Sequence, residues 1–132
     1  LGLLTDRIDL FYTYIDSEKL IPGNVSKYFN IKHKGSAMVQ KTFFRHLTLS
    51  GNINVTDREG IYLLYDFENS RYIEADFKPY LLVDAKISYL FRNVALFIEI
   101  SNLFNEDYID TGSLIQPGRW ITGGFKYKIE NL

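Results

Sequence analysis

The run Leu47 to Asp57, "LTLSGNINVTD", sorts its side chains by parity. Leu47, Leu49, Gly51, Ile53 and Val55 take alternate positions, and Thr48, Ser50, Asn52, Asn54 and Thr56 fill the places between. Successive side chains of an extended chain point to opposite faces, so this segment reads as a strand with one apolar and one polar side; a helix would mix the two sets. The same parity recurs. Leu82 to Phe91 sets Val83, Ala85, Ile87, Tyr89 and Phe91 against Asp84, Lys86 and Ser88. "VALFIEISN" from Val94 sets Val94, Leu96, Ile98 and Ile100 against Ala95, Phe97, Glu99 and Ser101. Trp120 to Ile129 sets Ile121, Phe125, Tyr127 and Ile129 against Thr122, Lys126 and Lys128. Two earlier runs are looser. Asp6 to Ile15 alternates around Leu10, Tyr12 and Tyr14. Tyr28 to Phe43 places Phe29, Ile31, Ala37, Val39 and Phe43 opposite Asn30, Lys32, Lys34, Ser36, Gln40 and Thr42, with His33 and Lys41 interrupting the apolar face.

The connections between these runs alternate in length. "FFRH" (Phe43 to His46) and "FRN" (Phe91 to Asn93) are tight turns flanked by aromatics, whereas Asp16 to Ser26, Arg58 to Pro79 and Asn105 to Gly118 are long and rich in Gly, Pro, Asn and acidic residues, as surface loops are. Within Arg58 to Pro79, "GIYLLYD" and "SRYIEADF" are expected to prolong the flanking strands as a hairpin.

Composition narrows the classes. A chain of 132 residues with 15 basic and 16 acidic side chains lacks the basic excess of a phosphate-neutralising domain, so no nucleic acid partner is expected. Ten Tyr, ten Phe and one Trp suit a pleated surface better than a helix. The absence of cysteine excludes disulfides and thiolate metal sites. His33 and His46 are the only histidines and have no partner at ligand spacing, and no G-x-S-x-G, H-E-x-x-H or phosphate-cradling glycine pattern is present. No catalytic residue, metal site or cofactor is therefore expected, and the chain is not read as an enzyme. Glu106, Asp107 and Asp110 are read as a solvated acidic loop rather than a calcium site, and no weight is placed on the sequon Asn24-Val25-Ser26.

No apolar run approaches the roughly 20 residues a spanning helix needs. Two-faced strands of about 10 residues, short turns at one end and long loops at the other instead describe an outer-membrane barrel wall, with water on the polar side and lipid on the apolar one. Phe43, Phe44 and Phe91 would then join the aromatic girdle at the periplasmic interface. A soluble antiparallel sandwich also alternates, and periodicity alone does not separate the two. The count of about six strands does constrain the barrel reading. Such barrels close with eight strands or more, so six leave two unpaired edges in lipid, and the chain is expected to be one piece of a longer protein. It begins "LGLLTDRIDL", without initiator Met or signal features, which is read the same way.

"SNLFNEDY" (Ser101 to Tyr108), "QPGRW" and a closing alternating strand resemble the C-terminal signature of TonB-dependent outer-membrane receptors. "YFNIKHKGSAMVQ", "LTLSGNINVTDREG" and "KPYLLVDAKIS" look like the preceding strands of that family, particularly its vitamin B12 and siderophore-type members. The likeness spans most of the chain, strongest from Lys78 onward and weakest from Gly60 to Phe77. The chain departs from the family at its tail, where Glu130, Asn131 and Leu132 follow Ile129 in place of a final aromatic residue.

The resemblance implies an all-β, antiparallel up-and-down meander of about six strands, residues 1–132 forming the C-terminal segment of a barrel of about 22 strands. It implies an integral outer-membrane location and active import of a bulky scarce nutrient, such as a cobalamin or ferric siderophore. The implied partners are outer-membrane lipid, the remaining barrel strands and plug domain of the parent chain, a periplasmic TonB-type energy-coupling protein and the small-molecule nutrient. A soluble β-sandwich that binds glycans or protein, or a surface-adhesive barrel without transport, are the alternatives. The ligand-binding candidates are Tyr62, Tyr65, Arg71, Tyr72 and Tyr108, aromatic or cationic groups on the outer loops. Asn102, Leu103, Phe104, Tyr108, Pro117, Gly118 and Arg119 carry the motif. Asn102 is expected to bond neighbouring backbone, Leu103 and Phe104 to anchor near the interface, and Pro117 and Gly118 to end pairing. Arg119 is expected to pair with Glu106 or Asp107.

Overall fold

The computed structural model describes residues 6–15, 30–110 and 114–129. The Asp16 to Ser26 loop with its sequon, and Glu130 to Leu132, lie outside them. Among the described residues the chain is all β, with eight strands: β1 (Arg7–Tyr14), β2 (Asn30–Phe43), β3 (Leu47–Glu59), β4 (Ile61–Asp66), β5 (Arg71–Asp76), β6 (Tyr80–Phe91), β7 (Val94–Ser101) and β8 (Trp120–Tyr127). Six form one antiparallel sheet in the order β1-β2-β3-β6-β7-β8, a meander with β1 and β8 at its edges. β4 and β5 pair only with each other. The stretch between β3 and β6 is therefore a hairpin, as expected, but it forms a separate sheet instead of widening the main one.

The register keeps parity across the sheet. Ile53 lies opposite Ala37 and Val83, and Asn52 opposite Met38 and Asp84, so apolar and polar residues continue in rows from strand to strand. A bulge between Ile31 and His33 breaks this phase near the start of β2: Ile31 faces Arg58 whereas His33 faces Asp57. One extra residue in a strand moves a side chain to the other face, so Ile31 joins the face of Thr56, a correction to its sequence-based placement. His33 is accommodated on the apolar face because Tyr14 stacks at 5.2 Å and the Tyr12 hydroxyl shares a 2.8 Å hydrogen bond with Nδ1. Lys41 is held by Asp6 at 3.5 Å.

The two faces of β3 differ in exposure. Thr56 is 5% exposed and Ser50, Asn52 and Asn54 are half-buried, while Leu49, Ile53 and Val55 are 41%, 43% and 46% exposed. No apolar side chain among the described residues is fully buried. Among the described residues no second layer covers either side, so the shielding of Thr56 and its neighbours comes from the polar face's own crowding, as in a sheet that curls toward that face. Lys86 and Glu99 pair there at 2.9 Å, and the Phe97 ring sits under the Lys86 ammonium at 4.6 Å. Phe97 also lies over Gly124, where an added Cβ would meet the ring at 2.8 Å.

The turns are short at one end, as expected. Phe44 (φ 49°) and Arg45 (φ 61°) reverse the chain between β2 and β3, and Arg92 (φ 53°) with Asn93 does so between β6 and β7. Left-handed backbone suits such hairpins and is normally supplied by Gly or Asn. Strands β1, β7 and β8 hold eight residues each, shorter than the runs suggested; β7 stops because Asn102 turns left-handed (φ 51°).

At the tip of β4–β5, the Asp66 carboxylate accepts from the backbone N–H of Glu68 (3.0 Å) and Asn69 (3.2 Å) and from the Asn69 amide (2.7 Å). These bonds hold its pKa below the ordinary value. The stabilisation is therefore complete above the unfolded-state pKa of about 3.9 and is lost as pH falls through the lower folded value. Amide exchange at Glu68 and Asn69 should accelerate between pH 4 and 2 relative to Leu63, and Asp66→Ala should abolish that difference.

Candidate functional site

Where β3 and β6 leave the sheet at the long-loop end, a set of polar and aromatic side chains meets the last loop. Parity carries Thr56 and Arg58 onto the polar face, and Tyr80 lies opposite Thr56. The Arg58 side chain is only 8% exposed and forms an ion pair with Asp110 from the β7–β8 loop. The Tyr80 hydroxyl donates to the same Asp110 oxygen at 2.9 Å. Arg58 Nε is buried without a hydrogen-bond partner, and the guanidinium carbon lies 5.9 Å from the Phe77 ring centre. A buried guanidinium is costly unless paired, so Asp110 fixes the loop to the strand while Arg58 keeps its charge.

Beside this pair is a hollow of about 290 Å³. Two aromatic pairs wall it: Tyr80 and Tyr108, ring centres 4.6 Å apart, and Tyr62 and Phe77, 5.1 Å apart. Asp76, Lys78, Glu106 and Asp107 add charge to the lining. Burial, reinforced by the carboxylates of Asp110 and Asp84, holds the Tyr108 phenol above its ordinary pKa, so it is a neutral hydrogen-bonding group at physiological pH. Aromatic faces, a phenol and charged groups together offer binding to a bulky polar-rimmed molecule.

The five ligand candidates fall into two groups. Tyr62 and Tyr108 line the hollow. Tyr65, Tyr72 and Arg71 sit at the hairpin tip, where Tyr65 stacks edge-on against Tyr72 (5.1 Å) and Phe67 (4.9 Å), and Arg71 lies opposite Asp66. Tyr62 and Tyr65 are three residues apart on one strand, about 10 Å along it and on opposite faces, so the tip does not join the hollow through this sheet. Thr56, Arg58, Phe77, Tyr80 and Asp110 escaped sequence reasoning. Parity marks Thr56 as a polar-face residue, but Arg58, expected in the long loop, lies instead in β3, and nothing local announces that Asp110 meets it.

The motif residues build the loop that carries Tyr108 and Asp110. Asn102, 5% exposed, accepts on Oδ1 from the Glu106 N–H and donates from Nδ2 to the Glu106 carbonyl, both at 2.8 Å. Its own N–H donates to Asp84 at 3.0 Å, and Leu103 N–H to the Val83 carbonyl at 2.7 Å. The backbone bonding expected of Asn102 is present. Leu103 is half-buried and Phe104 is 68% exposed. Asn105 Oδ1 accepts from the Arg119 N–H at 2.8 Å, which brings the two ends of the loop together. Gly118, after Pro117, is required for this: a Cβ there would lie 2.6 Å from Asn105 Oδ1. Arg119 does not pair with Glu106 or Asp107; its guanidinium reaches the Leu103 carbonyl at 3.5 Å, because the Asn105 bond sets the backbone beside that turn. Asp110 is likewise engaged with Arg58 and Tyr80.

Compared with protein-family models, with curated proteins and with solved structures, the chain has no match.

The clamp predicts a coupled pair of substitutions. Gly118→Ala and Asn105→Ala should each cost about 1–2 kcal/mol by equilibrium denaturation. In the Asn105→Ala background Gly118→Ala should add almost nothing, since the atom its Cβ strikes is gone; additive costs would refute the contact.

Proposed function

We propose that the chain is the C-terminal part of the barrel of a TonB-dependent outer-membrane transporter of about 22 strands, which imports a bulky scarce nutrient such as a cobalamin or ferric chelate. The observation that carries this reading is the inverted exposure of the sheet: apolar side chains face out without a covering layer, and polar ones crowd inward. In a bilayer the first face meets lipid and the second meets the aqueous lumen. Further support comes from the meander with edges left at β1 and β8, where the remaining strands of the parent chain would pair, and from tight turns opposite long loops. The Ser101 to Trp120 motif supplies the family resemblance.

On this reading the hollow lies at the outer mouth of the lumen, and Tyr62 and Tyr108 face the incoming nutrient. The chain contributes wall and outer loops; the plug and the segment engaged by the energy-coupling protein belong to the rest of the parent chain. A soluble sandwich would need a second layer over Leu49, Ile53, Ile87 and Ile98, and the described residues supply none. A purely adhesive barrel would share this wall and differ in uptake.

The chain has no cysteine, so single cysteines can carry fluorescent labels without background. Labels at Ile53→Cys, Ile87→Cys and Ile98→Cys should be quenched by lipid-borne quenchers, and labels at Asn52→Cys and Ser88→Cys by water-soluble ones. A chain that stays monomeric in buffer with the labels at 53 and 87 shielded from both would refute the membrane placement. For transport, deleting the gene should lower uptake of one cobalamin or ferric chelate, and dissipating the inner-membrane proton gradient should lower it equally.

A further inference from the structure

The two ends of the sheet carry opposite charge. Around the short turns the described charged side chains are Arg7, Lys41, Arg45, Arg92, Lys126 and Lys128 against Asp6 and Asp9. At the long-loop end carboxylates prevail, with Asp66, Glu68, Glu74, Asp76, Glu106 and Asp107 among them. Arg7 is occupied by Asp9 at 2.6 Å and Lys41 by Asp6. Arg45 and Arg92, at the turn tips, have no ion pair among the described residues and are exposed.

These two arginines share a local context. Each follows a phenylalanine, Phe44-Arg45 and Phe91-Arg92, and those rings are 88% and 59% exposed. The Arg92 guanidinium carbon lies 5.5 Å from the Phe91 ring centre. Phe44, Arg45 and Arg92 have positive φ, a conformation that costs a bulky residue and that Gly or Asn would adopt without strain. Side chains kept at such positions against local preference mark a use beyond turning the chain. An exposed ring beside a cation is the arrangement that seats at a bilayer interface, ring among the acyl ends of the headgroup layer and charge at the phosphates.

We propose that the Phe44-Arg45 and Phe91-Arg92 turn tips form a binding surface for anionic phospholipid headgroups in the leaflet that contacts the short-turn rim. This rests on the barrel reading above, which places that rim at a membrane surface. Charge complementarity selects the occupant: two guanidiniums without an ion pair among the described residues, on a rim where bases outnumber acids, favour a headgroup with net negative charge over a zwitterionic one. Each guanidinium can hold two phosphate oxygens in its planar fork.

The test uses the full barrel that contains this segment, in phosphatidylcholine vesicles doped with spin-labelled phosphatidylglycerol or spin-labelled phosphatidylcholine. The labelled phosphatidylglycerol should be motionally restricted by the protein roughly twofold more than labelled phosphatidylcholine, a site preference of a few-fold per arginine averaged over the lipid shell. Arg45→Gln with Arg92→Gln should bring that ratio close to one, and Arg45→Lys with Arg92→Lys should keep most of it. An unchanged ratio in the glutamine variant, with the protein still restricting phosphatidylcholine as wild type does, would overturn the proposal. Absence of any restricted lipid with either label would instead overturn the barrel reading.

Discussion

An apolar sheet face needs a cover, whether a second protein layer or lipid. Contiguous exposed apolar area beyond a few hundred Å² is rare on monomeric soluble proteins, since every Å² of it costs about 25 cal/mol relative to burial. Here the rows through Leu49, Ile53, Ile87 and Ile98 run across adjoining strands of the main sheet and carry no cover among the described residues. The other features follow from that constraint. Beyond the bulge near the start of β2 the register must hold parity, because a slip of one residue in β3 or β6 would put Asn52 or Lys86 in the apolar row. The turns must be tight at one end, since a long connection there would let adjacent strands slide.

The polar face solves a related problem. On β3 its side chains are less exposed than those of the apolar face, and the charges of this face have partners. Lys86 has Glu99, Asp84 accepts the Asn102 N–H, and Arg58 has Asp110. Phe97 is one of the apolar residues that parity puts on this side, with Met38 and Leu82, and it is absorbed by Lys86 on one side and the bare backbone of Gly124 on the other. An alanine at 124 would push the ring off, so the glycine there is a packing requirement of one residue on the neighbouring strand.

Legibility in the sequence divides along the same line. Parity is a local property, and β3, β6 and β7 could be read within two residues of their observed limits from "LTLSGNINVTD", "LVDAKISYLF" and "VALFIEISN". The tight turns and the β4–β5 hairpin were legible for the same reason, as was the capping role of Asn102. What stayed hidden depends on distance or on one-residue irregularity. The bulge at Ile31 to His33 leaves no mark in composition. The Arg58–Asp110 pair joins residues 52 apart in the chain, and any of the carboxylates of the last loop would have suited Arg58 equally. Arg119 was assigned an acidic partner because charge is the evident property of its neighbours, whereas the Asn105 side chain and the space at Gly118 decide where its backbone lies.

The last loop is therefore held at three places: by Asn102 where β7 ends, by Asn105 where β8 begins, and by Asp110 between them. Each fastening is made to a different part of the sheet or of the loop itself, so Tyr108 is fixed between two anchors and its ring is set against Tyr80. That matters for recognition, because a loop ordered before its ligand arrives does not spend binding energy on its own ordering. The β4–β5 tip is different: Tyr65, Phe67 and Tyr72 pack on one another, apart from Tyr62 and Phe77, which line the hollow. The hairpin therefore divides its aromatic residues between the hollow, where Tyr62 and Phe77 sit with Tyr80 and Tyr108, and the tip, where Tyr65, Phe67 and Tyr72 meet one another.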